Sequence, residues 1–262
     1  MHYSATISIL KFIKYWLRSK NQYYLHSPFV YNLVSKVIYD KNNNEVFDEI
    51  ENLRKTLKQD HSLLKKTDFG TGKIQNNVSQ KVKQIVKSSA KSAKYGQCLH
   101  RLVKHFKPQN MLELGSSLGI STLYQASANR DSNFTTLEGD PIVAKYAKNH
   151  LQKLNCGNVS VKVGNFDDTL DQVLNNYERL DYVFFDGNHQ EKPTIQYFEK
   201  CLRKAHNNSL FIFDDIHWSK EMENAWKYIK EHKKVTVTID LFFIGLVFFR
   251  KQQAKQHFII RH

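Results

Sequence analysis

The sequence predicts an α/β fold: a doubly wound, mostly parallel sheet of seven strands whose last strand runs antiparallel, preceded by a helical extension. Three observations predict it. From Gln97 onward, short apolar runs of strand length alternate with helical periods, the pattern of a parallel sheet wrapped by helices. The last two apolar runs are separated by only a short turn, which cannot make a parallel crossover and therefore predicts an antiparallel pair. Residues 1–95 carry helical faces instead, so they read as a helical extension and flap ahead of the domain at 96–262.

In that extension Ile9, Phe12, Ile13, Trp16 and Leu17 fall on one helical face, with Lys11, Lys14 and Arg18 off it. Ser27-Pro28 reads as an N-cap followed by proline at the first helical position, with Val30, Leu33, Val34, Val37 and Ile38 as the face behind it. A third face uses Val46, Ile50, Leu53 and Leu57. Such faces call for a partner, either the following domain or a second subunit in a homodimer. A basic helix bearing Phe12 and Trp16 also suits a membrane surface. Residues 58–77 are polar, and Asp68-Phe69-Gly70-Thr71-Gly72 reads as a turn or flap, because the strand and the other motifs of a nucleotide loop are missing.

The expected strands are Met111-Leu114, Phe134-Leu137, Val159-Val163, Tyr182-Phe185 and Leu210-Phe213, all buried and parallel, then the pair Val235-Ile239 and Phe243-Phe249. The helices among them use Leu99, Leu102, Val103 and Phe106, ending before Pro108; then Val143, Ala147, Leu151 and Leu154, closed by Gly157 as C-cap; then Phe198, Cys201, Leu202 and Ala205; and last Met222, Ala225, Trp226 and Ile229.

Composition bounds the function. At 262 residues the chain holds one substantial core and an appendage. Its three cysteines, Cys98, Cys156 and Cys201, are scattered without CxxC spacing, so neither a disulfide framework nor a structural zinc site is expected, and a reducing compartment fits. The first residues lack a secretory pattern and no apolar run approaches the roughly 18 residues of a membrane span, so no span and a cytoplasmic location are expected. The net charge of +14 suits nucleic acid or a membrane surface, although the lysines are spread as on an ordinary solvated surface.

The strongest motif runs from Met111 to Thr122, a strand passing directly into Gly115 and Gly119 and then a helix. Gly115 permits a tight bend, and Gly119 permits close packing of the helix that follows. The spacing is GxxxG, not the GxGxxG of a pyrophosphate cradle. Glu113, two residues ahead, would repel a pyrophosphate but suits the cationic amino group of S-adenosylmethionine, which favours that cofactor over NAD. Glu138, ahead of Gly139, ends the next strand at the spacing at which an acid reaches ribose hydroxyls. Asp140-Pro141 reads as a helix cap with a structural role. After the third strand, Asn165, Phe166 and Asp167 bring an aromatic and an acid to where they could stack on adenine and accept its amine.

Residues 92–124 resemble the start of the catechol and caffeoyl-coenzyme-A O-methyltransferases, which are class I S-adenosylmethionine-dependent enzymes. The chain also resembles bacterial class I methyltransferases with Asp-Gly-x-His after strand four, here Asp186-Gly187-Asn188-His189. The similarity spans roughly residues 85–250. It implies a Rossmann-like methyltransferase sheet and cofactor contacts at Glu113, Gly115, Ser117, Ser121, Glu138, Phe166, Asp167 and Asp186. Ser116, Gly119, Gly139 and Asn165 complete the candidate cofactor set by position in the same loops. In the metal-dependent members, an Asp after strand four and an Asp-Asn pair after strand five hold a divalent cation. The matching residues are Asp186, Asp214 and Asp215, a set suited to magnesium. Two positions depart from that pattern: Asp215 replaces the Asn, and His189 replaces a lysine. His189 or His217 would then serve as general base, with Asp186 beside it.

The expected activity is O-methylation of a small hydroxylated acceptor, with RNA or protein methylation the alternative. No Asp/Asn-Pro-Pro-aromatic tetrad or Pro-Cys pair is present, which excludes the adenine-N6 and cytosine-C5 chemistries.

Overall fold

The computed structural model describes residues 5–68 and 75–262. It contains a mostly parallel sheet of eight strands, flanked by helices, and a separate two-stranded hairpin. The chain divides into two compact units, residues 1–39 with 177–262, and residues 40–176.

The first unit opens with α1 (Ala5–Arg18) and α2 (Pro28–Leu33), the latter continuing as a π-helical turn over Val34–Ile38. Ser27 caps α2 by accepting from the Val30 N–H, and Pro28 occupies the first turn, where its missing N–H costs nothing. Val30, Leu33, Val34, Val37 and Ile38 are all buried, as their spacing predicts. In α1 the outcome differs. Ile9, Ile13, Trp16 and Leu17 are exposed, and the helix is held instead through Tyr15. The Tyr15 hydroxyl donates to the Ile260 carbonyl, and Phe12 and Tyr15 pack on Phe242 with ring centroids 5.0 and 5.1 Å away.

The second unit runs α3 (Glu45–Gln59), β1 (Leu63–Asp68), β2 (Gln75–Lys81), α4 (Val82–Ser89), α5 (Ala93–Phe106), β3 (Asn110–Leu114), α6 (Ile120–Ala128), β4 (Asn133–Glu138), α7 (Pro141–Lys153), β5 (Val159–Val163) and α8 (Phe166–Asn175). In α3 Phe47 takes the buried place expected of Val46, and its ring meets His100 edge-on at 4.9 Å. β1 and β2 form an antiparallel hairpin where a turn or flap was expected; Phe69-Gly70-Thr71-Gly72 lies outside the described residues. β3, β4 and β5 are parallel neighbours. β5 is half-exposed, not buried, because it closes the sheet at this edge. Asn155, in the left-handed region (φ 55°), ends α7 in place of Gly157, as asparagine tolerates that conformation.

The first unit resumes with β6 (Leu180–Phe185), α9 (Glu191–Leu202), β7 (Ala205–Asp214), α10 (Lys220–Glu231), β8 (Val237–Asp240), β9 (Ile244–Phe248) and β10 (Gln256–Ile259). Ala205 begins β7 instead of ending a helix. β6 and β7 are parallel, and β9 is antiparallel to both β7 and β8, the pairing that the short turn predicts. The sheet has eight strands and not seven, because β10 adds a parallel edge strand on β8. β10 has no buried alternation, so its sequence carries no strand signal.

Gly245 sits in β9 directly against the Trp226 ring of α10. A Cβ there would meet the indole at 2.6 Å. Gly245→Ala is therefore expected to destabilise the chain by about 1–3 kcal/mol through overpacking, read as a lower melting temperature.

Candidate active site

In the second unit, β3 runs into a loop that must reverse before α6. Gly115 (φ 100°) and Gly119 (φ 85°) make the reversal, and Ser117 between them is also left-handed (φ 46°). At Gly119 a side chain would also press on the Ala147 backbone of α7 at 3.2 Å, so the glycine serves the close packing its motif predicts. The loop is tied to β4 by backbone bonds, with the Gly115 and Ser116 N–H groups donating to the Leu137 carbonyl at 2.9 and 3.2 Å.

Two carboxylates fix this loop. Glu113 is fully buried and its side chain is turned into the fold. Ser121 Oγ and Gln125 Nε2 donate to one oxygen at 3.0 and 2.7 Å, and Thr122 and Thr136 hydroxyls to the other at 2.5 and 2.7 Å. Burial pushes its pKa up, and the four donors act against that rise. The Glu113 carboxylate, expected to meet a ligand amino group directly or through water, thus already accepts four hydrogen bonds, and Ser121 is one of its donors. Thr122, Gln125 and Thr136 were not anticipated. Thr136 was legible in principle, since it stands opposite Glu113 in the parallel register of β3 and β4.

Glu138, at the end of β4, accepts from the Ser117 N–H at 2.8 Å and the Asp140 N–H at 3.1 Å. It is only half-buried, with Gly139 beside it in the same state. Asp140 caps α7 by accepting from the Ile142 and Val143 N–H groups at 2.8 Å, and it also accepts from the Thr67 N–H of β1, a structural role as expected. Asn165 caps α8, accepting from the Asp167 N–H at 3.2 Å. Phe166 and Asp167 therefore open a helix instead of lying in a loop, Phe166 half-buried and Asp167 exposed. In the glycine loop Ser116 is buried, and its hydroxyl has no hydrogen-bond partner among the described residues.

The other candidate groups belong to the first unit. Asp186 follows β6, Asn188 turns in the left-handed region (φ 52°), and His189 precedes α9. Asp214 ends β7 fully buried, and Asp215 turns away with φ 53°. Ligand atoms of Asp186, His189 and Asp214 all lie within 4.8 Å of one another. Two of the three expected aspartates, Asp186 and Asp214, thus fall in one group, and His189 joins them. His189 Nε2 still lies between Asp186 Oδ1 at 3.7 Å and Asp215 Oδ2 at 4.0 Å. Ser219, not either aspartate, caps α10.

His217 is differently placed. Its Nε2 lies 2.8 Å from Asp240, its Nδ1 3.4 Å from Glu223, and its ring stacks on Phe242. Burial alone would lower its pKa, but the hydrogen bonds and charges of Asp240 and Glu223 override burial and carry it up to about 9. At neutral pH it holds its proton, so it has no lone pair for base catalysis.

A methyltransferase-domain family matches residues 112–216. In sequence the chain is similar to a catechol O-methyltransferase of Niastella koreensis, 26% identical over 179 residues that cover 66% of this chain and 75% of the relative. Among solved structures it is similar to an O-methyltransferase from Bacillus cereus in complex with SAH (18% identity, TM-score 0.58, covering 84% of this chain and 96% of that one). It is likewise similar to TomG, an O-methyltransferase from Streptomyces achromogenes in complex with SAM (18% identity, TM-score 0.58, 84% and 95%).

Two outcomes are expected. Glu113→Leu would leave several buried donors without an acceptor, costing at least about 2 kcal/mol in a denaturant or thermal melt. The His217 pKa is raised in the folded state, so its stabilisation is complete below the unfolded value of 6.5 and is lost as pH rises through about 9. Melting temperatures measured across that range should fall for the native chain and fall less for His217→Asn. The chain resembles the class I methyltransferases in sequence, and its sheet has their Rossmann-like fold.

Proposed function

We propose that this chain is an S-adenosylmethionine-dependent methyltransferase that methylates an oxygen of a small hydroxylated acceptor. One observation carries the reading: the stretch similar to a methyltransferase domain, residues 112–216, holds both the glycine loop with its two glutamates and the Asp186, His189 and Asp214 group. The relative named for catechol is the ground for a small acceptor, and the neighbours in complex with SAH or SAM are the ground for the cofactor.

The residues present fit that cofactor. Glu138 is half-exposed at a strand end, where a carboxylate suits ribose hydroxyls. The unpartnered Ser116 hydroxyl supplies a polar contact in the glycine loop, where Gly115, Ser117 and Gly119 let backbone approach closely. Gly139, Asn165, Phe166 and Asp167 complete the set, with Phe166 the ring that would stack on a base. Glu113 and Ser121 act through the loop they hold.

Methyl transfer from a sulfonium to a hydroxyl forms a carbon–oxygen bond, breaks a carbon–sulfur bond and releases the hydroxyl proton. His189 is the proton acceptor in this reading. Asp186 and Asp215 on either side stabilise the imidazolium that results. Asp186, His189 and Asp214 would alternatively hold a divalent cation, which would lower the pKa of an acceptor hydroxyl by charge attraction.

The test is methyl transfer from S-adenosylmethionine to a panel of catechols, with calorimetric binding of S-adenosylhomocysteine measured alongside. His189→Ala should lower kcat about 10²–10⁴-fold while leaving product binding unchanged. Failure to bind the nucleoside would sink the whole reading. Activity abolished by a chelator and restored by magnesium would assign the trio to a metal instead of to His189 as base.

A further inference from the structure

The face of α1 that the first unit leaves uncovered carries an inference of its own. Trp16, Ile9, Ile13, Leu17 and Leu10 form a continuous apolar arc of roughly 120° on a helical wheel, with Phe12 at its edge packed on Phe242. All six are exposed, Ile9 at 60%, Leu10 at 61% and Leu17 at 70%. A monomer in water gains nothing from such a face, so it marks an interaction surface.

Charge identifies the occupant. The first 39 residues contain no Asp or Glu, and the first acid of the chain is Asp40. Lys14 borders the apolar arc beside Leu10 and Arg18 lies further round the wheel, both exposed, and the Arg261 guanidinium lies 4.2 Å over the Trp16 ring. Lys11, on the side of the helix away from the arc, is bonded to Glu223 of α10. A second copy of this chain would bring one acid-free cationic helix against another, on bodies each carrying +14. A nucleic acid would welcome the charge but not the leucines. An apolar arc bordered by Lys14 on an exposed helix matches an anionic lipid surface.

We infer that α1 is an interfacial anchor that lays this face into the headgroup region of a membrane containing anionic lipid. Ile9, Ile13 and Leu17 enter the acyl boundary, Lys14 and Arg18 reach phosphates along their apolar stems, and Trp16 lies at headgroup depth. Tyr15 and Phe12, packed on Phe242, keep the helix attached to the body. No helix of the described residues is long and apolar enough to cross a membrane, so α1 lies on the surface without spanning it.

The full chain is sedimented with vesicles of phosphatidylcholine alone and with vesicles that also carry phosphatidylglycerol. Binding is expected to the second and not the first, and to weaken with added salt. Ile13→Asp with Leu17→Asp should abolish it. Lys14→Glu and Arg18→Glu should each weaken it about fivefold or more. All these side chains are exposed, so melting temperatures should be unchanged. Absence of binding to the anionic vesicles at low ionic strength overturns the inference. So does equal binding by the native chain and the variants, which would assign attachment to the general charge. A native dimer in size-exclusion chromatography that the aspartate variants turn into monomer would likewise overturn it in favour of a second copy.

Discussion

A buried carboxylate with four donors is the constraint on which the glycine loop depends. Taking Glu113 out of water costs several kcal/mol, and that cost is offset only if its oxygens are satisfied. Its donors come from β4 and from the first turns of α6, so one charged side chain binds β3, its neighbour and the helix that follows the loop. With both ends of the loop held, the backbone between them can persist in left-handed conformations at three positions. Glu138 completes the arrangement from the neighbouring strand by fixing the Ser117 N–H.

The first unit places strain and charge together in a similar way. Asn188, Asp215 and Phe242 all have φ in the left-handed region, and each follows the end of a strand by one to three residues. These turns set the directions of Asp186, Asp214 and Asp240, each near a histidine. The two histidines differ in what surrounds them. His217, stacked on Phe242 between two hydrogen-bonded carboxylates, is a fixed cation. His189 faces its carboxylates at longer range, 3.7 Å from Asp186 and 4.0 Å from Asp215.

Helix α1 shows how amphipathic periodicity and burial can part. Its apolar residues have the spacing of a core-facing stripe, yet the fold holds the helix by a tyrosine hydroxyl and an aromatic cluster on its other side. The apolar surface left over, with Lys14 along its border and no acid within the helix itself, has the chemistry of an interfacial helix.

The sequence by itself determined the strand–helix alternation, the antiparallel pairing forced by a short turn, the glycine bend after β3 and the caps at Ser27 and Asp140. Each of these rests on periodicity or on backbone chemistry confined to a few neighbouring residues. Tertiary structure alone decided which way Glu113 points, that His189 meets Asp186 and Asp214, and that β10 joins the sheet. It also decided which face of α1 is covered. Those outcomes depend on packing, on hydrogen-bond partners up to hundreds of residues apart and on the direction of a single side chain, none of which leaves a local pattern in the chain.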